Sequence, residues 1–134
     1  MIRRIEHEGR LIAIVVPRAH QPDGIEFFTP NDFSQQLAAM ARPAGYVIPP
    51  HVHKDVPREV VHTLEVLFVR SGRMRVDLYS PERAALGAVE LGAGDVILLA
   101  AGGHGFTMLE PTEIIEVKQG PYAGVEDKER FEPR

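Results

Sequence analysis

Short runs of apolar residues, separated by glycine and proline, set the pattern of this chain. In Arg73–Tyr79 the apolar residues alternate with polar ones, which is the period of two expected for a strand with one buried face. Other runs are apolar throughout, as in a strand that is buried on both faces. The predicted strands are Leu11–Val16, Val60–Val69, Arg73–Tyr79, Ala88–Leu91, Val96–Leu99, Phe106–Leu109 and Ile114–Val117.

Turn-forming residues lie between these runs. Ser71-Gly72 predicts a hairpin turn that joins two of the strands. The stretch 92–95, Gly-Ala-Gly-Asp, predicts another turn before an apolar strand. Many short strands at this spacing, without intervening helices, predict an all-β sandwich or barrel.

The segment Ser34–Arg42 carries mixed signals. It contains good helix formers, and Asn31 or Asp32 could cap a helix there. Pro43 follows directly, however, so we expect the second half of the segment to be a strand. The charged tail 124–134 is expected to lie on the surface or to fray.

The composition is that of an ordinary globular protein, and it limits the partners and metal ligands that the chain could have. The 134 residues predict one domain, and 44% are hydrophobic and 25% charged. The net charge is -4 with scattered basic residues, which disfavours nucleic acid or a membrane surface as a partner. No apolar run reaches the roughly 20 residues of a membrane span, and the N-terminus lacks a signal-peptide pattern, so we expect a cytoplasmic protein. Because cysteine is absent, any metal must be held by nitrogen and oxygen.

Four residues are candidate metal ligands: His51, His53, Glu65 and His104. On a strand, His51 and His53 would point to the same face, because side chains alternate with a period of two. A carboxylate and a third imidazole from other strands would complete a site for a divalent transition metal. Glu59 is the alternative carboxylate, although it lies in a charged stretch that contains proline.

The other candidates have weaker signals. His62 lies three residues before Glu65, so on a strand it would face the opposite side, and we expect it on the surface. Several apolar or turn residues are expected to face inward and are candidates for the lining of a ligand pocket. They are Met40, Tyr46, Phe68, Met108 and the turn at residues 119–122.

The order of Gly45, His51, His53, Glu65 and Gly72 resembles the first motif of the cupin superfamily. That motif consists of a glycine, a His-x-His pair, a glutamate and a second glycine. The chain departs from it in the longer gap between His53 and Glu65, which would have to loop out between two strands at little entropic cost.

The second cupin motif is matched less closely. Gly94 and the strand after it fit its opening, and His104 fits its histidine. Ala100 replaces the usual proline, and the histidine comes one residue early. The resemblance covers about residues 40–118.

The resemblance implies a cupin jelly-roll barrel, or double-stranded β-helix, that spans the whole chain 1–134. The barrel core would be about residues 40–118, with N-terminal strands in 1–30 and the charged tail in 124–134. It implies a divalent ion, Zn, Fe, Mn or Ni, on His51, His53, Glu65 and His104, and a homodimer. The implied function is a metal-dependent enzyme acting on a small polar molecule such as a sugar derivative. A non-catalytic cupin that binds or senses a small ligand, and a metal-free sugar-isomerase type with histidines as acid and base, stay open.

Overall fold

Antiparallel β-strands make up almost all of the regular structure in the computed structural model, which describes residues 1–133. Within that range the sole helical element is a single 3-10 turn, Gly124–Glu126, so no helix there is long and apolar enough to cross a membrane. The prediction of an all-β chain is confirmed. The strands are β1 (Arg3–His7), β2 (Arg10–Val16), β3 (Gly24–Phe27), β4 (Ala38–Ala41), β5 (Glu65–Ser71), β6 (Arg73–Tyr79), β7 (Ala85–Gly92), β8 (Val96–Leu99), β9 (Gly103–Met108) and β10 (Glu113–Lys118).

The chain divides into two compact units. The first consists of Met1–His20 and the chain from His62 onward, and the second is Gln21–Val61. In the second unit β3 and β4 form an antiparallel hairpin, which confirms the strand expected in the second half of Ser34–Arg42. The rest of this unit, from residue 42 to 61, contains no strand. The strand predicted to start at Val60 therefore starts only at Glu65.

The first unit is built from two antiparallel sheets. One has the order β1-β2-β8-β5-β10, and the other has the order β7-β6-β9. Apolar side chains from both sheets form one hydrophobic core, and burial of each valine, leucine, isoleucine or methionine contributes about 1.5–3 kcal/mol. The core members are Ile12, Ala13, Val15, Leu67, Val69, Met74, Val76, Leu78, Val89, Leu91, Ile97 and Leu99.

Gly72 marks the point where the chain passes from one sheet to the other. β5 ends at Ser71 and β6 begins at Arg73, yet β5 pairs with β8 and β10 whereas β6 pairs with β7 and β9. The predicted hairpin between these two strands is therefore wrong. Gly72 has a φ of 87°, and a Cβ built on it would lie 2.2 Å from the backbone oxygen of Pro111. Only glycine fits this corner without strain.

The turn predicted at residues 92–95 is confirmed, and Asp95 holds it in place. Its Oδ2 accepts a hydrogen bond from the backbone N–H of Gly92 at 2.8 Å. Its Oδ1 accepts one from the backbone N–H of Arg18, also at 2.8 Å. The carboxylate thus ties the turn before β8 to the segment that follows β2, which is paired with β8.

The C-terminal tail is fastened to the first unit at two places. Asp127 accepts hydrogen bonds from Thr63 Oγ1 at 2.6 Å and from Lys118 Nζ at 3.2 Å. Further along, the ring of Phe131 packs edge-on against that of Tyr79, with centroids 5.1 Å apart. The tail therefore lies along the surface through residue 133, and Arg134 lies outside the described residues.

Candidate functional site

Glu65 and His104 meet across the two sheets of the first unit. Glu65 is the first residue of β5 and His104 the second residue of β9. The Nε2 atom of His104 donates to Oε2 of Glu65 at 2.9 Å. The Glu65 side chain is 14% exposed and the His104 side chain 31%, so the pair is reachable from solvent but largely covered. Two of the four predicted ligands are thus in direct contact.

Strand pairing explains why both side chains point inward. Residues directly opposite in an antiparallel pair lie on the same face. Glu65 is opposite Leu99, a core residue, and His104 is opposite Leu78, also in the core. The carboxylate and the imidazole therefore project from the two core-facing surfaces. Each lies at the end of the row of apolar residues on its strand.

The surroundings of Glu65 favour its charged form. The hydrogen bond from His104 is the largest influence and lowers the pKa of Glu65 below its ordinary value, against a smaller upward effect of burial. A hydrogen bond with Glu116 and the charge of Lys118, directly opposite Glu65 on β10, lower that pKa further. The same contact with Glu65 raises the pKa of Glu116, so this second carboxyl holds its proton more tightly.

Glu116 was not among the residues selected from the sequence. It comes next to Glu65 because β10 pairs with β5, and Glu116 is two residues from Lys118 on the same face. The alternation of polar and apolar residues in β10 could have placed it on the Lys118 face. The partner strand, however, is set by sheet order, which that alternation does not encode.

His51 and His53 lie in the second unit, where their rings are close to each other. Their centroids are 5.3 Å apart and their planes are inclined by 72°. The Nδ1 atom of His51 donates to the backbone oxygen of Pro49 at 2.9 Å, which leaves Nε2 with its lone pair free, as in many metal-binding histidines. Both residues are exposed and neither is in a strand. The expectation that a strand would align them is wrong, because the segment around Pro49-Pro50 is irregular.

The alternative residues are placed as follows. Glu59 lies in the strandless part of the second unit and is exposed. His62 begins the second stretch of the first unit and is also exposed, as expected for a surface residue, although it precedes β5 and is not in a strand. Neither residue takes part in the contact between Glu65 and His104.

Apolar side chains continue the row that begins with His104 on β9. Phe106 and Met108 are opposite the core residues Val76 and Met74, so they share the core-facing side of the strand. They are nevertheless 42% and 47% exposed, because β9 is an edge strand. Met108 is thus inward-facing, as predicted for a lining residue. Phe68 alternates to the opposite face from Leu67 and is 39% exposed, so its predicted inward orientation is wrong.

A second group of possible ligands consists of His7, Glu8 and Glu82. Their donor atoms all lie within 4.8 Å of one another, and Glu8 and Glu82 are exposed. The group joins the turn between β1 and β2 to the turn between β6 and β7. His7 belongs to no sequence motif, and its distance along the chain from Glu82 leaves no local signal for the group.

Comparison of the chain with protein-family models, with curated proteins and with solved structures finds no match.

Proposed function

We propose that this protein binds a divalent metal ion through Glu65 and His104 and acts on a small molecule beside it. The observation that carries the proposal is the 2.9 Å contact between Glu65 Oε2 and His104 Nε2, which joins the two sheets. The sequence selected both residues as ligands from positions far apart in the chain. A site of this kind needs its donors to converge, and these two do.

The donor set suits the proposed ion. Imidazole nitrogen and carboxylate oxygen are ligands of Zn, Fe, Mn and Ni. The lowered pKa of Glu65 keeps its carboxylate ionised at neutral pH, which is the form that binds a metal. His51 and His53 enter the proposal as the remaining ligands from the sequence motif alone. Bound there, the ion would polarise a carbonyl or hydroxyl group or activate water.

The cupin jelly-roll barrel, the homodimer and the cytoplasmic location belong to the same proposal. Two antiparallel sheets around one core, with a glycine corner at Gly72 between them, support a jelly-roll arrangement for the first unit. A small-molecule ligand is the proposed partner, rather than nucleic acid or a membrane. The absence of basic clusters in the sequence supports that choice.

A metal-free acid–base function is the second candidate, and the same contact favours it. A carboxylate that accepts a hydrogen bond from a histidine fixes the orientation of the ring, which suits proton transfer. In this case His104 would exchange protons with the ligand, and Glu65 would hold the ring in place. The two candidates make opposite predictions for metal content.

Metal analysis of protein purified without a histidine tag tests the proposal. We expect about one ion per chain in the wild type and loss of that ion in His104→Ala. The double variant His51→Ala/His53→Ala tests the ligands taken from the motif and should also lose metal. His7→Ala is the control, because it removes an imidazole from the second ligand group, and it should keep the ion.

Wild-type protein that stays free of metal after incubation with Zn, Mn, Fe(II) and Ni salts would contradict metal binding and favour the acid–base candidate. Loss of the ion in His7→Ala but not in His104→Ala would place the metal elsewhere.

A further inference from the structure

The core-facing side chains that follow His104 on β9 form a solvent-exposed apolar surface beside the proposed site. This surface, the β9 wall, consists of Phe106 and Met108, which follow His104 at intervals of two residues. Their partners on β6, Val76 and Met74, are fully buried, so the wall continues the core outward to solvent. Large apolar side chains on a core-facing surface normally contact other apolar groups, because leaving them in water costs free energy.

The wall is directly continuous with the candidate site. The ring of Phe106 stacks on that of His104, with centroids 5.4 Å apart and planes inclined by 24°. From His104 to Met108 the strand covers about 13 Å, at about 3.3 Å per residue. That length suits a ligand of one or two rings lying along the strand.

The residues next to Glu65 on β10 are polar. β10 is one edge strand of the five-stranded sheet, and its residues Glu116 and Lys118 are opposite Leu67 and Glu65 on β5. The ammonium group of Lys118 is paired with Asp127. A hydroxyl group on a ligand can hydrogen-bond to the carboxyl of Glu65 or of Glu116, or bind a metal ion held at the proposed site.

We propose that the β9 wall binds a small planar aromatic molecule that carries a hydroxyl group. The ring would lie against Phe106 and Met108, where aromatic and thioether groups both pack well on an aromatic face. The hydroxyl would point to Glu65 and His104. A polyol would instead place hydroxyls against side chains that offer no hydrogen-bond partner, which is unfavourable. This inference rests on the proposed function, since it puts the polar group of the ligand at the proposed site, and it replaces the sugar derivative expected from the family resemblance.

NMR of protein labelled at the methionine methyl groups tests the inference. The probes are 4-hydroxybenzyl alcohol as the aromatic alcohol and myo-inositol as a saturated polyol. We expect 4-hydroxybenzyl alcohol to cause a saturable upfield shift of the Met108 methyl through its ring current. Myo-inositol should bind at least about tenfold more weakly.

Variants locate the binding surface. Phe106→Ala should weaken binding of 4-hydroxybenzyl alcohol about tenfold, since it removes the stacked ring. Phe106→Leu keeps apolar volume and should show a smaller loss, which separates stacking from a general loss of packing. Phe68→Ala is the matched control: Phe68 is 39% exposed but on the opposite face of its sheet, so binding should be unchanged.

Three outcomes would overturn the inference. They are an equal loss of binding in Phe106→Ala and Phe68→Ala, binding of myo-inositol as strong as that of the aromatic probe, or no shift with either probe. A Met108 signal that changes with protein concentration alone would assign the wall to a second copy of the chain and would also overturn it. Metal content is measured on the same samples. Metal-free protein that binds the aromatic probe would contradict the proposed metal site but support the proposed class of ligand.

Discussion

The carboxylate of Glu65 accepts a hydrogen bond from the imidazole of His104 at 2.9 Å, across two sheets that share one core. β5 and β9 are not paired with each other, so no backbone hydrogen bond holds these two residues together. Their contact depends on the packing of one sheet against the other. The geometry of the candidate site therefore depends on the packing of the core, and substitutions in the core should alter the contact between Glu65 and His104.

Replacement of Glu65 by glutamine should destabilise the protein in a way that depends on pH. Because His104 lowers the pKa of Glu65, the ionised carboxylate stabilises the fold above the ordinary pKa of glutamate, and this contribution is lost as the pH falls through the lowered pKa. We expect Glu65→Gln to cost about 1–2 kcal/mol at pH 7, as for a hydrogen bond to a charged group. The cost should shrink as the pH falls through the lowered pKa of Glu65. Urea unfolding between pH 3 and 7 measures it, and a cost independent of pH would contradict the assigned charge state.

Replacement of Glu116 by glutamine should change the stability of the protein in the opposite direction. Its contact with Glu65 raises the pKa of Glu116, so the protonated form is favoured by folding and stability is lost as the pH rises through that raised pKa. Glutamine cannot ionise, so Glu116→Gln should gain a few tenths of a kcal/mol at pH 7, a small amount because Glu116 is exposed. No gain is expected near pH 3. A loss of stability at pH 7 would show that the Glu116 carboxylate is stabilising instead.

Replacement of Gly72 by alanine should be strongly destabilising because it affects the corner between the sheets. The φ of 87° disfavours any residue with a Cβ by about 1–2 kcal/mol, and the contact with the Pro111 oxygen adds to this. We expect a total of about 3 kcal/mol or more. Gly9→Ala is the control, since Gly9 has a φ of 76° with nothing within 4 Å of the added Cβ, and should cost only about 1 kcal/mol. Thermal unfolding of both variants compares them, and equal costs would mean that the corner is not tight.

Local patterns predicted most strands but not their partners. Alternation in Arg73–Tyr79 and the apolar run Val96–Leu99 correspond to β6 and β8 without any shift in their ends. Ser71-Gly72 has the composition of a hairpin turn, but a left-handed glycine serves a hairpin and a sheet-to-sheet corner equally well. The choice between them depends on sheet packing, which involves residues distant in sequence.

The candidate site was predictable to a similar extent. Glu65 and His104 could be selected from motif spacing, and the structure brings them into contact. Glu116 and Phe106 could not, because their positions beside the pair follow from strand register and from which strands lie at the sheet edges. For His51 the strand assignment failed, since the prolines before it prevent a regular ladder.

Truncation of Phe131 should test whether the tail supports the first unit. Its ring packs on Tyr79 and lies 5.2 Å from the guanidinium of Arg83. We expect Phe131→Ala to cost about 1–2 kcal/mol, from the lost aromatic pair and its buried area. Tyr122→Ala, at a residue that is 88% exposed, should change stability by less than about 0.5 kcal/mol. Chemical unfolding of both variants gives the comparison, and an equally small effect of Phe131→Ala would mean that the tail does not contribute to stability.

The position of a bound ion tests the central claim most directly. Crystals grown with Mn²⁺ or Co²⁺, measured at a wavelength where the metal scatters anomalously, would locate the ion without any assumption about its ligands. We predict one peak at about 2.0–2.3 Å from a carboxylate oxygen of Glu65 and from Nε2 of His104, with their mutual hydrogen bond replaced by metal bonds. An intact hydrogen bond between Glu65 and His104 without a peak there, or a peak only at His7, Glu8 and Glu82, would contradict it.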